Sequence, residues 1–464
     1  MNSLKDPILP LSGFSQLGSR IAALLNRTEV DQAVIFVLLN RGWQILTMPA
    51  TLFLIAKHFS PEVQGFYYTF VSVLALQSFL ELGFVIVIIN VSSHEWAHLR
   101  LDEAGNIVGR QEALSRLASL GRLVFTWYMV LAVIFIFGVS IGGYWFFTGN
   151  PYPGVHWQSP WIVLVILSGV MLWIMPFNAL LEGCNQVAQV NKLKFHQGFL
   201  NTIALWMTIR LGGELWAGVA VVTVNLGCNL YLLLVVYRRF FKSFLKPPSR
   251  HRIPWRTEIW PMQWRLGLSA LGSYLTWALF TPIMFHYHGA TVSGQMGMTW
   301  FVVTGLQLTA QAWVYTKIAR YGMLVAHKDY AELDRYWLRT SGISLVVVSF
   351  GAIIIWSLIY TLNILQVTFV YRLLAPLPTG LFLLGAVMMH ISQCQSIYLR
   401  AHKQEVIMLL SLTSCLLIGL AVWLFGSRYG PTGAAAGYLA IMVFAVIWET
   451  FIWFHYRKIW HAPQ

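Results

Sequence analysis

Charged residues are scarce in this sequence. They account for 10% of its 464 residues, whereas a soluble domain carries about 25%. Hydrophobic residues account for 57% and are gathered in long runs with few interruptions. Runs of this length are typical of helices that cross a lipid bilayer. The composition therefore predicts an all-α polytopic membrane protein and excludes a soluble globular chain.

Motifs for metal, redox or nucleotide chemistry are also missing. The four cysteines are too far apart for a disulfide framework or a zinc site; they are Cys184, Cys228, Cys394 and Cys415. The phosphate-binding pattern GxxxxGK[ST] is absent, so we expect no ATP-driven chemistry in this chain. His286-Tyr-His288 suggests a metal only weakly, because residues two apart do not share a helix face. We expect no metal, no cofactor and no catalytic residue.

Twelve apolar spans recur along the chain with short connections. They cover about 33–56, 65–92, 122–147, 160–181, 197–213, 216–237, 264–287, 295–316, 341–362, 373–398, 406–426 and 434–455. The fifth and sixth spans are the least clearly bounded, because Arg210 and Glu214 crowd the turn between them. Every connection predicted to be external is short, which leaves no extramembrane domain for an enzyme.

The charges predict the orientation in the membrane. With the N-terminus inside, every Lys and Arg except five lies on the cytoplasmic side; the exceptions are Lys57, Arg210, Arg372, Arg428 and the intramembrane Arg41. This is the positive-inside asymmetry of membrane proteins. It accounts for the net charge of +14 without nucleic acid. We therefore expect a multi-pass membrane protein with both termini in the cytoplasm.

A basic segment divides the chain into halves. Residues 238–256 contain seven Lys or Arg and three Pro but no acid, which predicts a cytoplasmic linker, resting on anionic lipid headgroups. Weak self-similarity, with Thr51 matching Thr281 and Thr69 matching Thr299, indicates a parallel repeat at an offset of 230 residues. The predicted units are an N-terminal cytoplasmic or interfacial segment, a six-helix lobe, the linker, a second six-helix lobe and a cytoplasmic tail, over residues 1–32, 33–237, 238–263, 264–455 and 456–464.

Arg41 is the candidate binding residue that the sequence singles out. It is the ninth residue of the first span, about 12 Å from one membrane face. A charge near the helix centre costs roughly 2.5–3.5 kcal/mol on the insertion scale, so Arg41 should face protein or a watered cavity rather than lipid. Gln44 lies one turn away on the same face. Glu81 of the second span is predicted at a similar depth, either as an ion-pair partner of Arg41 or as a proton-coupling group.

Polar residues at helical spacing mark other spans. In the eighth span Gln307 and Gln311 share a face with Thr304. These stripes fit either hydrogen bonds between helices or the walls of a shared hydrophilic cavity. Both interpretations stay open from the sequence alone.

Several short motifs resemble those of one family. Arg41-Gly-Trp-Gln-Ile-Leu46, Gln64-Gly-Phe-Tyr-Tyr-Thr-Phe70, Glu81-Leu-Gly83 and Ser93-His-Glu-Trp96 resemble bacterial lipopolysaccharide-biosynthesis membrane proteins of the polysaccharide flippase type. The same family is resembled in the second half by Gly294-Gln-Met-Gly-Met-Thr299 and by Ala326-His-Lys-Asp-Tyr-Ala-Glu-Leu-Asp334. The superfamily also contains the multidrug-and-toxin extrusion (MATE) transporters. The resemblance covers about residues 35–340.

This resemblance implies a MATE-like fold, with two lobes around a V-shaped cavity that works by alternating access. It implies a polyprenyl-pyrophosphate-linked oligosaccharide as substrate, moved between leaflets for cell-surface polysaccharide synthesis. Membrane lipids, and glycosyltransferases or a polymerase of the same pathway, are the implied partners. Cationic side chains in such cavities hold the pyrophosphate, and here Arg41 fits that role, with Gln44, Gln307 and Gln311 as cavity neighbours. Only Arg210 or Arg265 could add a second cation.

Two other functions are compatible with a polytopic chain. An ion-coupled multidrug extruder should have an acidic cavity for cationic drugs, and the intramembrane charge here is not negative. A polysaccharide polymerase or ligase needs a large external loop, which the sequence lacks. We therefore expect a flippase and not an enzyme.

Overall fold

The computed structural model describes residues 32–149, 152–245 and 253–461. The predicted interfacial N-terminal helix, part of the basic linker and the last three residues lie outside them. Except for one short hairpin, the described elements are helical. The helices are α1 Gln32–His58, α2 Pro61–Leu74, α3 Leu76–Leu80, α4 Phe84–Trp96, α5 Gln111–Thr148, α6 Gln158–Gly183, α7 Val187–Arg210, α8 Trp216–Tyr231, α9 Arg238–Lys242, α10 Trp260–Trp277, α11 Phe280–Tyr315, α12 Ile318–Ala326, α13 Tyr330–Ile364, α14 Pro376–Ala401 and α15 Met408–Trp460.

The hairpin connects α4 to α5. Its strands, β1 Leu99–Leu101 and β2 Ile107–Gly109, are antiparallel, and Arg100 pairs with Val108. Asp102 closes the turn by accepting hydrogen bonds from the backbone and the side chain of Asn106. These bonds lower the pKa of Asp102, and they keep this connection compact at the end of the molecule where the charges predict cytoplasm.

The twelve predicted spans correspond to helices in the described part of the chain. Eight stretches are long and apolar enough to cross a membrane. Two of them, Gln263–Ala326 and Met408–Trp460, are long enough for two crossings each and are bent at Gly289 and Gly430. Helices α1 and α7 supply the remaining two crossings; their 27 and 24 residues include more polar side chains. The protein is thus an all-α multi-pass membrane protein.

One predicted span is broken. The structure divides residues 65–92 into α2, α3 and α4, and the chain turns sharply between α3 and α4, where Leu82 and Gly83 both have positive φ angles. A Cβ at Gly83 would lie 2.5 Å from Cβ of Leu266 in α10. The break therefore lets α10 cross close to the second span, and the prediction of one continuous helix was wrong here.

The helices form two lobes. In the first, α1 packs against α7, α5 and α8 pack against α6, and α4 lies against α5 and α6; in the second, α11, α13 and α15 surround α14. The lobes meet where α2 packs along α11 and where α3 and α4 touch α10. Exposed apolar side chains cover the outer surface, as expected of a surface that faces lipid.

The helix boundaries repeat at the predicted offset. In the first half, α1 is followed by α2, which begins at Pro61. In the second half, residues 260–288 correspond to α1, and the part of α11 after Gly289 corresponds to α2. The Gln64 side chain donates a hydrogen bond to the Gly294 carbonyl, 230 residues further on. Equivalent positions of a two-fold repeat touch one another only near its axis. This contact is therefore independent support for the parallel repeat, while the unit boundaries themselves remain a prediction.

The described ends of the basic linker pack on the first lobe. Phe244 lies where a Cβ of Gly121 would be, and its carbonyl accepts a hydrogen bond from Arg122. The Ile253 backbone N–H donates to Ser119. Arg116 of α5 then bridges Glu95 and Glu258, 2.7 Å from each. These parts of the linker lie against α5. They pack on protein, whereas the sequence predicted that the linker rests on lipid headgroups.

Candidate functional site

The face of α1 that contains Arg41 points towards the second lobe. Met48, two turns further along the same face, lies against Gly305 of α11. Each residue of a helix turns by about 100°, so Leu39 and Leu46, both strongly exposed, lie about 140–160° around α1 from Arg41. Leu38 and Ile45, which are also exposed, lie about 40–60° from Arg41, so Arg41 stands at the edge between the exposed side of α1 and the side that meets the second lobe. The guanidinium is exposed and donates to Oε1 of Gln44 at 3.4 Å.

Helix α7 fixes the rotation of α1. Trp43 of α1 donates to Thr202 of α7, and Trp206 of α7 donates to Thr51 of α1, over 3.1 and 2.9 Å. Because both indole N–H groups are paired with the neighbouring helix, α1 cannot turn freely about its axis. Arg41 and Gln44 are therefore held on the side of α1 that contacts the second lobe through Met48, and their role in binding stays a prediction.

Glu81 does not meet Arg41. It lies in the turn between α3 and α4, where 8% of it is exposed, and its carboxylate accepts a hydrogen bond from Gln77 at 3.2 Å. Among the described residues, the ion pairs do not include Arg41 with Glu81. The predicted ion pair is therefore absent from this conformation, whereas the coupling role of Glu81 stays a prediction.

Arg210 lies far from Arg41 along the helix axis. It is the exposed last residue of α7, twelve residues beyond Gly198, which faces Asn40 of α1. At the rise of a helix this separates the two arginines by about 18 Å in depth. One phosphate group cannot contact both in this conformation.

Gln307 and Gln311 are buried between helices rather than open to a cavity. Gln307 is 1% exposed and donates to the Ala386 carbonyl of α14. Gln311 is 7% exposed and donates to Gln393 of the same helix. Of the two interpretations of this stripe, the structure fits hydrogen bonds between α11 and α14, and the assignment of these residues to a cavity wall is wrong for this conformation.

A tight seal closes the cleft at the end predicted to be external. Thr69 of α2 and Ser293 of α11 are hydrogen-bonded at 2.8 Å, and both are buried. Gln64 donates to the carbonyls of Gly294 and Arg372. The Arg372 guanidinium in turn donates to the carbonyl of Phe59 at 2.6 Å. Because the seal joins both lobes, it blocks access to Arg41 from this end.

The opposite end contains a cavity that the sequence analysis missed. It has a volume of about 830 Å³ and lies in the second lobe between α10, α14 and α15. Arg400 and Glu405 stand at its mouth, and the buried Glu449 lines its wall. A signal was available, since Glu449 is an acid inside an apolar span, as Glu81 is.

Neither a protein-family model nor a curated protein matches the sequence. Solved structures do. An inward-facing multidrug resistance MATE family transporter of the MOP superfamily superposes with a TM-score of 0.68, at 13% identity, over 93% of this chain and 99% of that one. A MOP superfamily transporter from Pyrococcus furiosus has a TM-score of 0.54, at 13% identity over 93% and 96%. The lipid II flippase MurJ, in an inward closed conformation, has a TM-score of 0.52, at 14% identity over 90% and 87%.

These matches define the class of fold. The chain is a two-lobed multi-pass membrane protein with the topology of known transporters and flippases. More particularly, its fold is MATE-like, as the family resemblance implied.

Proposed function

We propose that this protein moves a polyprenyl-pyrophosphate-linked oligosaccharide from the inner to the outer leaflet of the bacterial inner membrane, by alternating access, for cell-surface polysaccharide synthesis. The observation that carries the proposal is the position of Arg41, an exposed guanidinium in α1 on the side of that helix that contacts the second lobe through Met48. A guanidinium matches phosphate oxygens through two parallel hydrogen bonds. A cation at membrane depth marks the path of an anionic group.

The openings of the molecule support the direction of transport. The seal of α2 against α11 closes the predicted external end, and the second-lobe cavity opens near the connection of α14 to α15, at the predicted cytoplasmic end. The TM-score is 0.68 with an inward-facing MATE structure and 0.50 with an outward-facing one. This state is suited to taking up a substrate made in the cytoplasm.

The comparison with MurJ supports a lipid-linked substrate. That protein is a lipid II flippase, so the fold can handle a sugar on a lipid carrier. We place both termini in the cytoplasm, from the distribution of Lys and Arg. The glycosyltransferases that build the oligosaccharide, and the polymerase that uses it, are the proposed partners.

Deletion of the gene is the direct test. We expect the deletion strain to lose surface polysaccharide and to accumulate a lipid-linked oligosaccharide in the inner leaflet, detectable by extraction and mass spectrometry. Re-expression of the full chain should reverse both effects. Normal surface polymer with no accumulated intermediate would refute the proposal.

Multidrug extrusion is the second candidate, favoured by the TM-score of 0.68 with a multidrug resistance transporter. On this alternative the deletion strain becomes sensitive to cationic dyes and antibiotics, and its surface polysaccharide is unchanged. The same strain therefore separates the two functions.

A further inference from the structure

The second-lobe cavity is large and deep, and its wall combines hydroxyl groups with apolar side chains. It extends along α10 from Arg265 to Thr276, a rise of about 16 Å. Hydroxyl groups from three helices line it; they belong to Ser269, Ser273, Thr276, Ser392, Ser396, Ser411 and Ser414. Its volume of about 830 Å³ lies in the range of small-molecule sites, about 300–1,000 Å³. A cavity of this size holds a molecule rather than a single ion.

Ser414 is a sign that a ligand completes the wall. The residue is 6% exposed, and its Oγ atom has no hydrogen-bond partner within the described chain. Buried polar groups are nearly always paired in native proteins. The Oγ atom itself is covered in this conformation, so this hydroxyl gains a partner only when its side chain turns towards the cavity that the residue lines.

Glu449 is the one carboxylate deep in this wall. It is 3% exposed and accepts hydrogen bonds from Ser392 at 2.5 Å and from Ser396 at 2.8 Å. A carboxylate offers about four acceptor positions, so Glu449 can accept further hydroxyl donors. The ion pairs of the described residues do not include Glu449; Arg400, which lines the same cavity and acts on Glu449 through its charge, is paired with Glu405.

The arrangement fits a polyhydroxylated ligand better than a cation. Hard cations need several oxygens converging on one point, at about 2–2.6 Å, whereas these hydroxyls are spread along three helices. A sugar donates hydroxyls to a carboxylate, accepts hydrogen bonds from serines, and lays its apolar face on an indole. Trp264 and Trp277 line the same cavity.

We propose that this cavity binds the carbohydrate head of the transported lipid, with Glu449, Ser392, Ser396 and Ser414 as its hydrogen-bonding partners. The proposal rests on the proposed function and names a substrate contact that Arg41 cannot supply. Arg265, whose guanidinium lies over the Trp264 ring at 5.6 Å, also lines the cavity. It provides a second cation near the sugar for the phosphate end of the same substrate.

Cys415 makes the cavity accessible to a direct test, because it lines the wall beside Ser414. Cys184 and Cys394 are buried, and only Cys228 is also partly exposed. In the purified full chain carrying Cys228→Ala, the rate of Cys415 modification by N-ethylmaleimide is measured by mass spectrometry. The probe ligand is the glycan released by mild acid from the lipid-linked sugar of the deletion strain.

We expect the glycan, at ten times its dissociation constant, to slow Cys415 modification about tenfold by mass action. Glu449→Gln and Ser414→Ala should weaken this protection, with the unliganded modification rate and the melting temperature unchanged. Glu103→Gln, in the exposed hairpin, is the matched control and should retain it. Cys415→Ser identifies the labelled peptide.

Other results would overturn the proposal. Protection by NaCl or by tetraphenylphosphonium, with none by the glycan, assigns the cavity to a cation or to a drug. Accumulation of a lipid-linked sugar in the deletion strain, without protection by its glycan, leaves the proposed function standing and removes the sugar site. If no lipid-linked sugar accumulates, both proposals fail.

Discussion

Gly65 of α2 lies directly against the backbone of Ala290 in α11: a Cβ atom at position 65 would come within 1.9 Å of the Ala290 carbonyl oxygen. Only glycine permits this approach, because the clash involves main-chain atoms that cannot turn away. The two lobes are thus closest where the cleft is sealed. Any opening at this end must separate α2 from α11.

Gly65→Ala should weaken the seal. Overpacking a tight contact costs about 1–3 kcal/mol, and here the cost falls on the closed arrangement alone. We expect a lower melting temperature and faster modification of a cysteine placed at Ser293 by an external thiol reagent. Gly227→Ala is the control, since nothing lies within 4 Å of its added Cβ. Equal behaviour of the two variants would show that the seal tolerates the added methyl group.

The pair Thr69→Cys and Ser293→Cys should trap the sealed state. The two native hydroxyl oxygens are 2.8 Å apart, close enough for thiols at these positions to approach the geometry of a disulfide. Mild oxidation should cross-link the double variant and stop surface polysaccharide export, and a reducing agent should restore it. Each single-cysteine variant is the control. Continued export by the fully cross-linked protein would mean that transport does not require this seal to open.

Arg41→Ala should abolish surface polysaccharide with little change in protein level. Hydrogen bonds to charged groups contribute about 1.5–3 kcal/mol, so loss of the guanidinium should weaken substrate binding about 10- to 100-fold. Arg41→Lys keeps the charge without the planar fork and should be intermediate. The control is Arg110→Ala, which removes an exposed arginine paired with Glu112. Unaltered polymer in the Arg41→Ala strain would remove this residue from the substrate path.

Glu81→Gln should change the dependence of transport on the proton gradient. The substitution keeps the shape and the hydrogen bond with Gln77 but removes the ability to carry a proton. The measurement is polysaccharide export at graded protonophore concentrations, with Glu103→Gln as control. A variant as gradient-dependent as the native protein would leave Glu81 with a structural role at the break in the second span.

Acid should destabilise the end of the second lobe where His402 and His461 lie near Asp334. Burial lowers the pKa of both histidines, so below the ordinary histidine pKa of about 6.5 the unfolded chain binds more protons than the folded one. Stability is therefore full above that pH and falls as the pH decreases below it. We expect the melting temperature to drop between about pH 6.5 and 5.

The double variant His402→Gln and His461→Gln should flatten this pH dependence. His94→Gln, an exposed histidine in α4, should leave it unchanged. An identical pH profile for the double variant and the native chain would assign the acid sensitivity to other groups.

Hydropathy predicted the helices well, because a chain in lipid must pair its backbone within helices and cover them with apolar side chains. For Arg41, the cost of an intramembrane charge predicted only that the side chain avoids lipid, and its role as a binding residue stays a prediction. The depth of a side chain along its helix could be predicted from the sequence. The rotation of each helix about its axis, and the residues that its side chains contact, could not. Glu81 lies near the predicted depth of Arg41 yet is bonded to Gln77, and the stripe of Gln307 and Gln311 faces α14.

The remaining differences depend on long-range packing. The break at Gly83 follows from the crossing of α10, which no local pattern reveals. Glu449 had the same sequence signal as Glu81 and was overlooked, although only the structure could place it in a cavity beside two serines. The glycine contact at position 65 likewise depends on a partner 225 residues further along the chain.

Uncharged groups make up the central bonds of the seal: Thr69 with Ser293, and Gln64 with the Gly294 carbonyl. Such bonds respond only weakly to salinity or to the transmembrane voltage. Any sensitivity of this end to salt or voltage therefore rests on the charged Arg372 beside those bonds, whose guanidinium donates to the carbonyl of Phe59.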